Sequence, residues 1–202
     1  MLKRADEIED TYFRLRSKAL VSLFDLTGKR RIEVATLKQE DVEIEDEYLR
    51  MTFIVTKKRT KKSSSNRRTK LLPLGDCRTQ YIVEYARWMR EHHPECEYLF
   101  PRTHNIFGVG LLFYPGEHIS GRHVLRLVKV LDPTAWCHLF REKVGASIVK
   151  KDPTIIAPFK VMRRLDLESF TTAFNYMRRY AEDIIESQEN RQEEGEEIIN
   201  SV

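Results

Sequence analysis

The spacing of hydrophobic positions changes several times along the chain, and each change predicts a different element. At the start, apolar residues recur every three or four positions, at Ile8, Tyr12, Leu15, Ala19, Leu20 and Leu23. This period predicts one amphipathic helix over residues 4–26. Thr27-Gly28 follows, and glycine readily adopts the left-handed conformation that ends helices. A second, short helix is expected from Arg31 to Lys38.

Alternating polar and apolar residues then predict a small sheet. Residues 41–45 alternate strictly, and residues 48–55 are rich in aromatic and β-branched side chains. A third strand is expected at residues 71–74, where Pro73 indicates an edge position or the end of the strand. The basic loop 57–70 connects the last two strands. We therefore expect one three-stranded antiparallel sheet.

Helical periodicity occupies most of the remaining chain, apart from residues 102–118, which show no period and are expected to form an irregular loop. The expected helices cover 78–92, Ser120 to Leu131, a segment opened by Asp132-Pro133-Thr134, another opened by Asp152-Pro153, and a last one from Ser169 or Thr171 to about Glu186. The predicted fold class is mainly α with a small three-stranded antiparallel sheet. One domain is expected over residues 1–180, followed by an acidic C-terminal tail over 181–202.

Charge is distributed unevenly along the sequence. The net charge of the chain is +4, but residues 181–202 contain eight acidic residues and one arginine, so the rest of the chain carries +11. The positive charge of residues 1–180 indicates a polyanionic partner, and nucleic acid is the first candidate. The alternative is a basic surface that is simply solvated. Residues 57–70 hold eight of the cations and predict a phosphate-binding arm.

Composition and motifs exclude several classes of protein. No apolar run approaches the roughly 20 residues of a membrane span, and the first residues lack an apolar signal core. The three scattered cysteines indicate reduced thiols and a cytoplasmic location. Glu91 to Cys96 contains metal-ligand types without a second cluster, so we interpret it as a helix end. No metal site and no cofactor are expected, and no phosphate loop or G-x-S-x-G motif occurs.

Chemically competent residues occur in an ordered series. Arg30 follows Thr27-Gly28, with Glu33 three residues later, and His138-Leu139-Phe140-Arg141 places His138 and Arg141 on one helical face. Thr171-Thr172 precedes a late tyrosine, Tyr176. Two arginines, a histidine and a tyrosine are the residue types that metal-free phosphodiester chemistry through a covalent tyrosine requires.

This series resembles the catalytic domain of the tyrosine recombinases, the phage-integrase, Xer and Cre group, over roughly residues 5–180. Residues 27–37 are similar to the family's Thr-Gly-x-Arg-x-x-Glu-x-x-x-Leu, and the hairpin from Val55-Thr56-Lys57 to Leu71-Leu72-Pro73-Leu74 is similar to its lysine hairpin. Residues 138–141 fit its His-x-Leu-Arg with Phe for Leu, and Thr171-Thr172 before Tyr176 resembles its Thr-Thr-x-x-Tyr with one extra residue.

The resemblance implies a role for each residue of the site. Arg30 and Arg141 would bind the non-bridging oxygens of a phosphodiester, and His138 would accept a proton. Tyr176 would attack the phosphorus to give a 3′-phosphotyrosine, and Lys57 would protonate the departing 5′-oxygen. Six further loop cations are expected to bind DNA, namely Lys58, Arg59, Lys61, Lys62, Arg67 and Arg68.

Each of these assignments has an alternative. Arg30 could be one more surface cation beside Lys29 and Arg31, and His138 could be a core histidine. Glu33 is interpreted as a structural partner that holds an arginine. Tyr180 competes with Tyr176 for the nucleophile, and Lys58 competes with Lys57.

The chain departs from the family pattern before the Thr-Thr element. The family has Gly-His or a tryptophan there, whereas residues 162–169 contain no histidine, and Arg164 lies nearest that position. This departure supports one alternative to a recombinase, a catalytically weakened DNA-binding homologue. The other alternative is a type IB topoisomerase-like enzyme, which shares the chemistry. Double-stranded DNA and self-assembly into a tetramer on DNA are the implied partners. Residues 181–199 would be either a segment that docks on a neighbouring protomer or a disordered tail.

Overall fold

The computed structural model describes residues 1–55, 66–152, 154, 156–167 and 169–175. They belong to two compact units, one of Met1–Arg141 and one that begins at Glu142. The elements in chain order are α1 (Leu2–Asp6), α2 (Thr11–Thr27), α3 (Arg31–Ala35), β1 (Val42–Ile44), β2 (Tyr48–Ile54), β3 (Arg67–Pro73), α4 (Cys77–His92), β4 (Pro101–Ile106), β5 (Gly110–His118), α5 (Gly121–Leu131), α6 (Cys137–Lys151) and α7 (Ala157–Leu165).

The first predicted helix is two helices, so the prediction of a single helix over residues 4–26 is wrong. The Asp10 carboxylate accepts a hydrogen bond from the backbone N–H of Phe13 at 3.0 Å. This N-cap begins α2 as a separate helix, although the spacing of apolar residues continues across the gap between α1 and α2. The predicted end is confirmed, because Gly28 adopts φ 60° and ψ 25° and its N–H donates to the carbonyl of Phe24.

The predicted three-stranded antiparallel sheet is confirmed, with strand order β1-β2-β3. Met51 of β2 is opposite Val42 on one side and Lys70 on the other. The inner face of β2 contributes Leu49, Met51 and Phe53 to the core of the first unit, all of them fully buried. Strand β3 begins at Arg67, four residues before the predicted strand, and ends at Pro73.

Residues 102–118 form most of an antiparallel hairpin, β4 with β5, so the predicted irregular loop is wrong. Most residues of the hairpin are exposed or only partly buried, so the sequence lacks the alternation of apolar and polar residues that a half-buried strand shows. The hairpin packs through Phe113, whose ring stacks on His93 at 3.6 Å and meets Tyr12 edge-on at 4.9 Å. These contacts hold it against α2 and the end of α4.

The helices that follow the hairpin carry half of the pocket described below. Ser120 caps α5, as predicted, by accepting a hydrogen bond from the N–H of His123 at 3.1 Å. Helix α6 begins at Cys137 and not at the predicted Asp132. The Asp132 carboxylate instead accepts hydrogen bonds from the N–H and hydroxyl of Thr134 and forms a turn before the helix.

The second unit has its own small core, made of Val144, Val149, Val161, Leu165 and Ala173. Helix α7 begins at Ala157, later than the predicted start at Asp152-Pro153, and residues 170–175 are helical after Ser169, as predicted. Tyr176, Tyr180 and the predicted tail 181–202 lie outside the described residues. Within the described ranges, no helix has both the length and the apolar character that crossing a bilayer demands.

Candidate active site

The turn between α2 and α3 fixes Arg30. Glu33 has a fully buried side chain, and its carboxylate accepts hydrogen bonds from the Arg30 backbone N–H at 3.2 Å and from Arg30 Nη1 at 2.9 Å. The bond to the backbone N–H caps the start of α3 from its third residue, and the bond to Nη1 holds the side chain. The predicted role of Glu33 as the partner of an arginine is confirmed. The Arg30 side chain is held at one edge and remains 29% exposed.

Lys29 is a buried cation, contrary to its interpretation as a surface residue. It is 1% exposed, and its ammonium lies 3.9 Å from Glu33 Oε2 and 4.6 Å from the centre of the Phe53 ring. Burial of a charge is costly unless opposite charge or a π face compensates it. Glu33 and Phe53 provide that compensation, so the pocket wall includes a second cation beside Arg30.

Helix α6 delivers the other half of the site. Phe140 faces inward and stacks on Phe24 of α2, with ring centroids 5.6 Å apart. Arg141 is only 3% exposed, and its Nη1 donates to the carbonyl oxygen of Gly28 at 2.7 Å. The left-handed turn at Gly28 thus presents the carbonyl that anchors Arg141 beside Arg30.

These segments enclose one pocket of about 690 Å³. It is lined by Lys29, Arg30, Arg31, Ile32, Gly121, Arg122, Leu125, Trp136, Cys137, His138 and Arg141. The structure therefore brings together three of the predicted site residues, Arg30, His138 and Arg141. All of them belong to the first unit.

The other predicted residues are placed less completely. Lys57, Tyr176 and the loop cations Lys58, Arg59, Lys61 and Lys62 lie outside the described residues. Arg67 and Arg68 are exposed on β3, and Arg67 donates to the Asp41 carboxylate. Burial raises the pKa of Asp41 above its ordinary value, against the opposing charge of Arg67.

Arg164 lies on α7, in the second unit. Burial lowers the pKa of its guanidinium, while the Asp166 carboxylate acts in the opposite direction. A role of Arg164 at the missing histidine position stays a prediction.

The pocket residues that the sequence did not indicate include Arg31, Arg122, Trp136 and Cys137. The Ser120 cap predicted α5 and placed Arg122 in its first turn, but no local pattern indicated that α5 packs against α3. Burial raises the pKa of the Cys137 thiol, with Arg31 opposing the shift. Among the described residues, no three His, Cys, Asp or Glu side chains come together as metal ligands.

Solved structures with the same architecture identify the fold. The structure of XerH site-specific recombinase bound to difH substrate in a pre-cleavage complex matches with a TM-score of 0.61 at 19% identity, over 87% of this chain. XerA recombinase matches with a TM-score of 0.59 at 17% identity, also over 87% of this chain. The chain has the fold of the tyrosine recombinases.

A third match with this recombinase fold is a lambda integrase (75–356) dimer bound to a COC′ core site, with a TM-score of 0.50 and 16% identity over 87% of this chain. The chain spans only about half of these proteins, namely 47% of XerH, 56% of XerA and 55% of the integrase fragment. No family model matches the sequence, and no curated protein matches it.

Proposed function

We propose that this chain cuts and rejoins DNA strands as a site-specific tyrosine recombinase, through a 3′-phosphotyrosine intermediate. The observation that carries the proposal is the single pocket that Arg30, His138 and Arg141 line together. The proteins that share its fold support the choice of substrate. XerH was crystallised with difH before and after cleavage, and lambda integrase with a core site.

The two arginines suit a phosphodiester that is under attack. Negative charge accumulates on the non-bridging oxygens, and guanidinium groups bind such oxygens with paired, charge-assisted hydrogen bonds. Arg141 is buried and anchored to Gly28, and Arg30 is anchored to Glu33. Because both groups are fixed before the substrate arrives, little reorganisation is needed in the transition state.

The covalent step would use one residue of the pocket and two that lie outside the described residues. The Tyr176 oxygen attacks the phosphorus while His138 accepts the phenolic proton. The bond from phosphorus to the 5′-oxygen breaks, and Lys57 gives that oxygen a proton. The products are a 3′-phosphotyrosine and a free 5′-hydroxyl. The reverse reaction joins a strand without ATP, because the phosphotyrosine retains the ester.

Duplex DNA and further copies of the chain would be the partners. The basic loop cations, from Lys58 to Arg68, would bind phosphates along the duplex, with Arg67 also paired to Asp41. Assembly into a tetramer at a junction, with residues 181–199 docking on a neighbour, would bring two duplexes together. A cytoplasmic, nucleoid-associated location follows from this substrate.

The test is the formation of a covalent adduct. Duplexes enriched for binding from a random library are nicked at successive positions, so that a cleaved strand diffuses away and the adduct accumulates. The wild-type protein should form an adduct that survives denaturing electrophoresis, and Tyr176→Phe should form none. Tyr180→Phe serves as the matched control and should retain the adduct.

Two other outcomes point to the alternative functions. Tight duplex binding without any adduct would establish a non-cutting homologue, which the absence of histidine in residues 162–169 favours. Relaxation of supercoiled plasmid without products that join two DNAs would establish a topoisomerase-like enzyme.

A further inference from the structure

The pocket has two walls that differ in what their cations contact. On the inner wall, Lys29 and Arg30 contact Glu33, and Arg141 donates to the Gly28 carbonyl. The outer wall carries Arg31 and Arg122, which are both exposed. Over the residues that the structure describes, neither guanidinium has a hydrogen bond or an ion pair with the protein.

Arg31 is nevertheless held in place along its stem. A Cβ atom built on Gly121 would lie 3.4 Å from Arg31 Cγ and 3.5 Å from both Cδ and Nε. The side chain therefore runs across the backbone at the start of α5, one residue from Arg122. A stem that is confined in this way loses less conformational freedom when its guanidinium binds a ligand.

The rest of the outer wall is apolar. Ile32, Leu125 and the half-exposed Trp136 line the same pocket. Two unpaired guanidinium groups close to the inner cations repel one another and favour an anionic ligand. At about 690 Å³ the pocket lies within the range of sites that bind molecules much larger than a single phosphate.

We propose that Arg31 and Arg122 form a second phosphate subsite, which binds the phosphodiester next to the one held by Arg30 and Arg141 on the same DNA strand. The subsite rests on the proposed function. A strand carries a phosphate every 3.4 Å or so along the helix axis, so a second phosphate must lie close to the first. The apolar side chains that line the same pocket suit the deoxyribose that separates consecutive phosphates.

The test combines a neutral phosphate with loss of each arginine. Selected duplexes carry one methylphosphonate at each backbone position in turn, and their dissociation constants are measured for wild type, Arg31→Gln and Arg122→Gln. Arg87→Gln is the matched control, because Arg87 is exposed on α4 and does not line this pocket. Adduct formation is measured separately on the unmodified duplex, and melting temperatures check that all variants fold.

Wild type should bind about tenfold more weakly when the phosphate adjacent to the cleaved one is neutral. Arg31→Gln and Arg122→Gln should bind the unmodified duplex about tenfold more weakly and should no longer respond to that neutral phosphate. Their plots of log K against log salt should lose about 0.9 in slope. Arg31→Lys should have the wild-type slope but recover only part of the affinity. Lysine keeps the charge but lacks the paired N–H donors of the guanidinium.

The proposal is overturned if the losses of binding free energy caused by each arginine substitution and by the neutral phosphate simply add at every position. It is also overturned if both variants bind the duplex like Arg87→Gln. An additive result together with a wild-type adduct refutes the subsite alone. A non-additive result without any adduct refutes strand cutting and leaves the phosphate contact in place. A wild-type protein that selects no duplex refutes both.

Discussion

The buried carboxylate of Glu33 binds Arg30, which together with Arg141 makes up the proposed phosphate clamp. Replacement of Glu33 by glutamine is a sharp perturbation of that clamp. Glutamine has nearly the same volume and keeps an acceptor for Arg30, but it has no charge for Arg30 or Lys29. Breaking a buried ion pair by neutralising one partner costs about 3–5 kcal/mol. Because Arg30 is 29% exposed and solvent screens it in part, we expect a loss of about 2–3 kcal/mol in Glu33→Gln.

Chemical and thermal unfolding measure this loss directly. A destabilisation of that size lowers the melting temperature of a 202-residue chain by about 5–10 °C and shifts the urea midpoint without a change in slope. Glu84→Gln is the control, because Glu84 is exposed on α4. Its free energy of unfolding should change by less than about 0.5 kcal/mol.

Glu33→Gln should also impair the proposed chemistry at temperatures where it remains folded. A neutral amide holds the Arg30 guanidinium less firmly, so we expect adduct formation in single-turnover assays to fall by more than about tenfold. If Glu33→Gln unfolds at the same midpoint as Glu84→Gln, the carboxylate does not hold the two cations and the reasoning is wrong. If it loses stability but cuts DNA at the wild-type rate, Arg30 is not part of the clamp.

Further expectations concern the Gly28 turn, the second arginine and the thiols. Gly28→Ala should cost about 1–2 kcal/mol of unfolding free energy, since φ is 60° there, whereas Gly75→Ala, which meets no atom within 4 Å, should be neutral in the same urea titration. Arg141→Lys should slow adduct formation about 100-fold in single-turnover assays, and an unchanged rate would exclude Arg141 from the clamp. At pH 8, Ellman's reagent should modify exposed Cys77 quickly. Burial raises the pKa of Cys96 to about 11, which leaves about one thiol in a thousand ionised, so rapid reaction of Cys96 would contradict its environment.

Local signals predicted the fold where local interactions decide it. Gly28 ends a helix, Ser120 begins one, and the alternation in residues 41–55 gave two strands of the sheet. The failures have a different physical origin. The apolar period continues across residues 7–10, where a single side chain, Asp10, restarts the helix. The hairpin 101–118 is held by rings from distant elements, and its residues are too exposed to alternate between apolar and polar.

In the candidate site, too, local patterns predicted some residues and missed those that only tertiary packing brings together. Helical spacing placed His138 and Arg141 on one face, and the order of motifs placed Arg30 with them, as the pocket shows. Lys29 was misread because a lysine among charged neighbours resembles a surface residue, and its burial depends on Phe53 of β2. The outer wall was missed because Arg31 and Arg122 become neighbours only when α5 packs against α3.

The bond from Arg141 to the Gly28 carbonyl joins residues that are 113 positions apart. During synthesis, a chain that has emerged only as far as α5 contains Arg30 and Glu33 but no partner for the Gly28 carbonyl. Contacts between such distant segments are among the last to form, since closing a long loop costs entropy before it is repaid. A nascent or truncated chain of this length would therefore contain Arg30 without Arg141. Such a chain would be unable to carry out the proposed strand cutting.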